Sequence, residues 1–190
     1  MALRNTTARW GALSQTFHWL IVALVIIQVT LAKIADGLPV GVEKLATLAR
    51  HKSVGITILM LATLRLLWRW MNPVPALPST LRPYERGLAH FSHAALYLLL
   101  FAMPLSGWAM SSARGFSVSW FGLAQLPDFV PKSRSLYEAL HETHETLAYA
   151  LGAVALLHIA GALKHHFVLR DDVLRRMLPF TKGRARDSSP

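Results

Sequence analysis

From Trp10 to Ala32 the chain carries no formally charged residue. A helix rises about 1.5 Å per residue, so this run alone crosses about 30 Å of hydrocarbon. Backbone polar groups in a bilayer must be satisfied within the segment, which commits such a run to helix. A secretory signal peptide is the alternative, because Arg4 and Arg9 precede the apolar stretch. The run is longer than a usual signal core and holds His18-Trp19, so it is read as a retained first helix, roughly 14–34.

Three more spans are expected, at roughly 51–70, 87–113 and 142–166. The uncharged core of the second, Ser53 to Leu64, is too short to cross alone. Arg65 must therefore lie at membrane depth or snorkel toward an interface marked by Trp68, Arg69 and Trp70. The third span is uncharged apart from His90 and His93, and Pro104 and Gly107 are expected to kink it. Residues 35–50 read as a polar turn region. Residues 71–86 hold Pro73, Pro75, Pro78 and Pro83 and read as a stiff connector. The longest loop, 114–137, carries Phe116, Trp120, Phe121 and Phe129 and is expected on the membrane surface. A short amphipathic turn from about Ser135 leads into the fourth span.

Composition agrees: 53% of residues are hydrophobic and 16% charged, against about 25% charged in soluble proteins. A net charge of +10 raises nucleic acid as a partner. Long apolar runs between the basic clusters fit a lipid bilayer and the positive-inside pattern instead, and no nucleic-acid role is read. Of the 20 lysines and arginines, the two loops after the first and third spans hold only Lys33, Lys44, Arg50, Lys52, Arg114, Lys132 and Arg134. The head, middle connector and tail hold the rest, which places both termini in the cytoplasm. The expected fold class is an all-α, integral membrane four-helix bundle, with one domain over 1–180 and a basic, disordered tail over 181–190.

Nine histidines and no cysteine narrow the chemistry. Without cysteine there are no disulfides, no thiolate or iron–sulfur ligation and no Cys-x-x-Cys-His haem attachment. No Ser-His-Asp set, glycine-rich phosphate loop or carboxylate pair supports hydrolytic or phosphoryl chemistry. His144 and His158 stand fourteen positions apart. Fourteen steps of about 100° return a side chain to within roughly 40° of its start and about 21 Å along the axis. The fourth helix thus offers one imidazole at each of two depths, on a face where Gly152 and Gly161 leave room. Two histidines bonded to neighbouring helices are the plainer reading of that spacing alone.

Depth sorts the other histidines. His18 lies near the inner side and His51 near the outer side. The natural pairs are His18 with His158 inside and His51 with His144 outside. A low-spin haem takes two axial ligands on opposite faces of its ring, commonly imidazoles. Two such pairs imply two haem b groups across the bilayer. Gly55, one turn after His51, either admits a porphyrin edge or serves a helix contact. Arg65, fourteen residues after His51, either neutralises an inner propionate, faces a quinone headgroup, or snorkels. Arg50, Lys52 and Lys44 ring the outer level, where they hold propionates, attract an anionic donor, or stay solvated. His90 and His93 read as metal ligands, partners of a propionate or quinone, proton relays, or structural groups. His141 reads as facing the outer surface or touching the outer haem, and His165 and His166 as interfacial and unliganded.

The motifs resemble the prokaryotic cytochrome b561 family, which is also similar to the cytochrome b subunits of hydrogenases and formate dehydrogenases. Those motifs are Phe17-His18-Trp19, Arg50-His51-Lys52-Ser53-Val54-Gly55, Gly87-Leu88-Ala89-His90-Phe91-Ser92-His93, His144-Glu145-Thr146-Leu147-Ala148, His158, His165-His166 and Leu178-Pro179. The resemblance covers roughly residues 10–180. It implies haem ligands from helices one, two and four, carried here by His18, His51, His144 and His158. It also implies two haem b, a quinone partner such as ubiquinone, and a bacterial inner membrane location. Some family members act alone as superoxide:quinone oxidoreductases, so the implied donor is superoxide or a periplasmic redox partner. The alternative is a relay subunit that docks onto a dehydrogenase or hydrogenase.

Overall fold

The computed structural model describes residues 2–78 and 81–179. Four long helices follow one another: α1 (Ala12–Gly37), α2 (Val42–Trp70), α3 (Pro83–Arg114) and α4 (Arg134–Phe167). Each is long and apolar enough to cross a membrane. Between α3 and α4 sits a small hairpin of β1 (Ser119–Trp120) and β2 (Ala124–Gln125). It is antiparallel, pairing Ser119 with Gln125 and Trp120 with Ala124. Phe121 and Gly122 turn it with positive φ of 49° and 75°.

Three elements differ from the sequence reading. α2 starts at Val42 rather than near 51, so His51 lies well inside a helix and not at its opening. Glu43 in the first turn and Arg69 in the last match the helix dipole, and the supposed turn region had the residues to be helical. Pro83 opens α3 instead of belonging to the connector. Its missing N–H is no loss at a first helical position, and Arg82 N donates to Glu85 Oε2 at 3.0 Å. α4 begins at Arg134, capped by the Ser133 hydroxyl, which accepts from Leu136 N at 3.3 Å. The turn expected near Ser135 is therefore the first turn of α4. α3 continues through Pro104 and Gly107 and ends at Gly115, left-handed at φ 81°.

α1 packs along α2, α2 meets α3, and α3 packs along α4; α4 approaches neither α1 nor α2 closely among the described residues. Small side chains make the contacts. Ser53, Gly55 and Ala62 are buried on α2, and Ser92, Ser106, Ala109, Ser112 and Ala113 on α3. Small residues let membrane helices approach where lipid supplies no hydrophobic drive. No residue of α4 is buried, so its apolar faces turn to lipid and to the cleft across from α1 and α2.

The hairpin lies on α2. The Ser53 hydroxyl donates to Ser119 O and accepts from Phe121 N, both at 3.0 Å. Trp120 Nε1 donates to Thr57 Oγ1 at 3.0 Å. At the other end the start of α1 meets residues 176 and 177. Gln15 Nε2 donates to Arg176 O at 3.0 Å and Trp19 Nε1 to Met177 O at 2.9 Å. Buried Asn5 ties the head to the α2–α3 connector, donating to Pro73 O at 3.0 Å. The N-terminal head, the connector and residues 176 and 177 thus share one end of the bundle. The tail expected to be disordered, 181–190, lies outside the described residues.

Candidate haem-binding site

We call the level nearer the N-terminal head inner and the level nearer the hairpin outer. At the outer level the rings of His51, from α2, and His144, from α4, have their centres 6.4 Å apart. At the inner level His18, from α1, and His158, from α4, stand 6.3 Å apart. The four histidines singled out in the sequence are brought together in the expected pairs. Each pair bridges α4 to helices it otherwise does not touch closely.

The gap has the width of a metal held between two rings. A ligating nitrogen lies about 2 Å from its metal and about 1.1 Å from its own ring centre, so two imidazoles trans across an iron sit about 6.3 Å centre to centre. Among the described residues no cluster of three or more histidines or carboxylates has the geometry to hold an ion alone. Paired imidazoles facing a cleft fit a metal that brings four ligands of its own in a flat ring. Carbon added at Gly152 or Gly161 would meet nothing within 4 Å, and Gly152 is exposed.

The outer pair is oriented by acceptors. His51 Nδ1 lies 3.2 Å from the Gln28 carbonyl oxygen, which can only accept, so Nδ1 carries the proton. His51 Nε2 is then an acceptor and takes a hydrogen bond from the Gln28 side-chain amide at 3.1 Å, a contact that a metal at that electron pair would displace; Gln28 Oε1 is buried without a partner. The Ser106 hydroxyl donates to Met103 O at 2.9 Å and so accepts from His144 Nδ1 at 2.9 Å, which leaves the unprotonated nitrogen of that ring at Nε2. Gly107 seats this ring: a Cβ there would come within 3.0 Å of His144 Cε1.

The inner pair is surrounded differently. Arg65 Nη1 lies 3.1 Å from His18 Nδ1, and its guanidinium also covers the Tyr97 ring at 5.7 Å. Arg65 is thus turned inward rather than toward the surface. Arg69, one turn on, lies over both Tyr97 and Trp10 at 5.9 Å. A third imidazole joins this level, His93 of α3, 5.2 Å from His158.

The remaining candidates separate from the pairs. Gly55 faces α1, where an added Cβ would meet Gln28 Nε2 at 3.2 Å, so its nearest neighbour serves the helix contact. His141 is exposed and tilts onto Tyr137 at 5.9 Å, away from the outer pair. His90 is exposed. His165 is not unpartnered: its Nδ1 lies 2.6 Å from Asp171 Oδ2. Lys52 lies over Phe116 at 5.7 Å, and Arg114 donates to the Tyr137 hydroxyl at 2.6 Å. Beside them Arg114, Lys132 and Arg134 line an open basin of about 550 Å³ at the outer end.

Sequence reasoning missed Gln28, Ser106 and Tyr97, and the contact of Gly107 with His144. The first two carried a usable signal, since lone polar side chains inside apolar spans are functional candidates by default. Tyr97 and Gly107 carried none without the packing of α3.

The family model of prokaryotic cytochrome b561 matches residues 9–180. The chain is 36% identical to cytochrome b561 homolog 2 of Escherichia coli (strain K12), over 94% of this chain and 95% of that protein. It is 34% identical to a probable superoxide oxidase CybB of Yersinia pestis, over 92% of this chain and 98% of that protein. It is 28% identical to cytochrome b561 homolog 1 of Escherichia coli (strain K12), over 87% and 94%.

Proposed function

Because the chain belongs to the prokaryotic cytochrome b561 family, whose members bind haem b and carry electrons in membranes, we propose that it holds two haem b groups and passes electrons across the bilayer to quinone. His51 and His144 ligate the outer haem, and His18 and His158 the inner one. The carrying observation is the pair of ring separations, 6.4 and 6.3 Å, each matching an iron between two imidazoles. One domain through residue 180 does this in the bacterial inner membrane, with both termini cytoplasmic and the hairpin end periplasmic.

Bound haem supplies one-electron transfer at each level. The protein fixes where the electron enters and leaves. The Gln28 carbonyl and the Ser106 hydroxyl hold the outer imidazoles in the tautomer that ligates through Nε2. Lys52, Arg114 and Lys132 offer cationic groups at the outer end, beside Arg134 paired with Glu138, where a small anion can be drawn in. Superoxide is the donor we favour, in line with the name of the Yersinia pestis relative. Two superoxide anions each lose one electron and leave as dioxygen, and ubiquinone takes both electrons with two protons.

Visible spectra and haem assay of the purified protein should give two bis-histidine haems, and His144→Ala should remove one of them. Full retention in that variant would sink the ligand assignment. Superoxide mixed with the oxidised protein should reduce haem rapidly, more slowly at high ionic strength, with reoxidation that requires quinone. Two reducible haems indifferent to superoxide would instead identify a relay that needs a protein donor.

A further inference from the structure

We propose that Arg65, Arg69 and Tyr97 form a clamp for the two propionate carboxylates of the inner haem. The inference rests on the assignment of His18 and His158 as that haem's ligands. Arg65 and Arg69 are spaced i, i+4, so they project from one face of α2. Both guanidiniums lie over the same Tyr97 ring, at 5.7 and 5.9 Å. Both are only partly exposed within the protein itself.

Neither has an anion. Among the described residues the ion pairs are Arg134 with Glu138, Lys164 with Glu85 and His165 with Asp171. Two cations from one face of α2 therefore share the Tyr97 ring with no carboxylate among the described residues to balance them. Stacking on aromatic rings offsets only part of the desolvation of a guanidinium. Buried charges persist when they are paired. The missing partner must carry two negative charges, stand beside His18 and reach between α2 and α3. A quinone is neutral and leaves the charge uncompensated. A lipid headgroup belongs at the interface, whereas Arg65 is turned into the bundle against His18 Nδ1 at 3.1 Å. The inner porphyrin has two carboxylates, one for each guanidinium, and Arg pairs with carboxylate through two parallel hydrogen bonds.

The test uses the His144→Ala protein, which keeps only the inner haem. Arg69→Gln in that background should lower its midpoint potential, because an uncompensated propionate favours ferric iron. Infrared redox-difference spectra with isotope-labelled propionates should show the labelled carboxylate bands shifting. Arg69→Lys, which keeps the charge, should move both less. Loss of haem from Arg69→Gln with retention in Arg69→Lys would support the clamp equally. An unmoved potential and unmoved carboxylate bands in haem-loaded Arg69→Gln would overturn it. A His144→Ala protein with no haem would overturn the ligand assignment and the clamp with it, a result visible before Arg69 is touched.

Discussion

The outer and inner histidine pairs span nearly the same gap, 6.4 and 6.3 Å, and yet are built from opposite electrostatics. The outer imidazoles give their Nδ1 protons to neutral acceptors, the Gln28 carbonyl and the Ser106 hydroxyl. At the inner level Arg65 Nη1 lies against His18 Nδ1, a contact Nδ1 accepts only while Nε2 holds the proton, so ligation through Nε2 turns that guanidinium to another partner; Arg69 stands one turn away and a third imidazole, His93, close by. An imidazole that donates to an acceptor is a stronger ligand base and favours ferric iron. Cations near the ligands favour the reduced, less positive iron. Fourteen residues of α4 set the separation of the two levels, and under the proposed function the polar neighbours set which level holds the electron.

The largest effect expected from breaking this comparison is at Gly107. Gly107→Val places branched carbon where a Cβ already approaches His144 Cε1 at 3.0 Å. It should abolish the outer haem and leave the inner one, read by haem content and low-temperature spectra. A variant with both haems would show that His144 has another seat.

Ser106→Ala comes next. Losing the partner that orients a metal-bound histidine weakens metal affinity or activity by roughly 10–100-fold. Outer-haem retention in a competition with an apo-haem acceptor should fall on that scale, with the inner haem unmoved. Equal loosening of both levels would mean that Ser106 serves the bundle and not His144.

The two potentials sharpen the comparison further. A redox titration should resolve two steps, with the inner haem the higher, so that electrons fall from the outer level inward. His144→Ala should remove the lower step and His158→Ala the higher. The reverse order would refute the role assigned to the inner arginines.

The smallest expected effect is at Ser53, which ties the hairpin to α2 above His51. Ser53→Ala leaves Phe121 N without its acceptor and should destabilise the outer end by about 1–2 kcal/mol. Faster amide exchange in residues 117–126 with unchanged exchange around His18 would confirm that the cap acts on one level alone.

Much of this was legible along the chain. Uncharged runs fixed four spans, and the fourteen-residue step from His144 to His158 fixed two depths on one helix. The ends of helices were less legible. Residues 42–50 mix Glu43, Lys44 and Arg50 with Leu45 and Leu48, a pattern with no apolar run to mark a span, and the helix continues there because nothing breaks it. Proline misled at one place: Pro83, read as part of the connector, starts α3, where its missing N–H has no helical partner to lose, whereas Pro104 lies within the span as expected.

The sequence by itself determined the class of structure, the candidate ligands and their depths. These follow from hydrocarbon length, the absence of cysteine and the helical repeat, all of which are local. Only the tertiary structure decided that His51 leans on a carbonyl of α1 and His144 on a hydroxyl of α3, whereas His18 meets a guanidinium of α2. It also decided that Arg65 turns inward instead of snorkelling. Those choices depend on which faces of neighbouring helices meet, and one helix's periodicity carries no information about the rotation of the next.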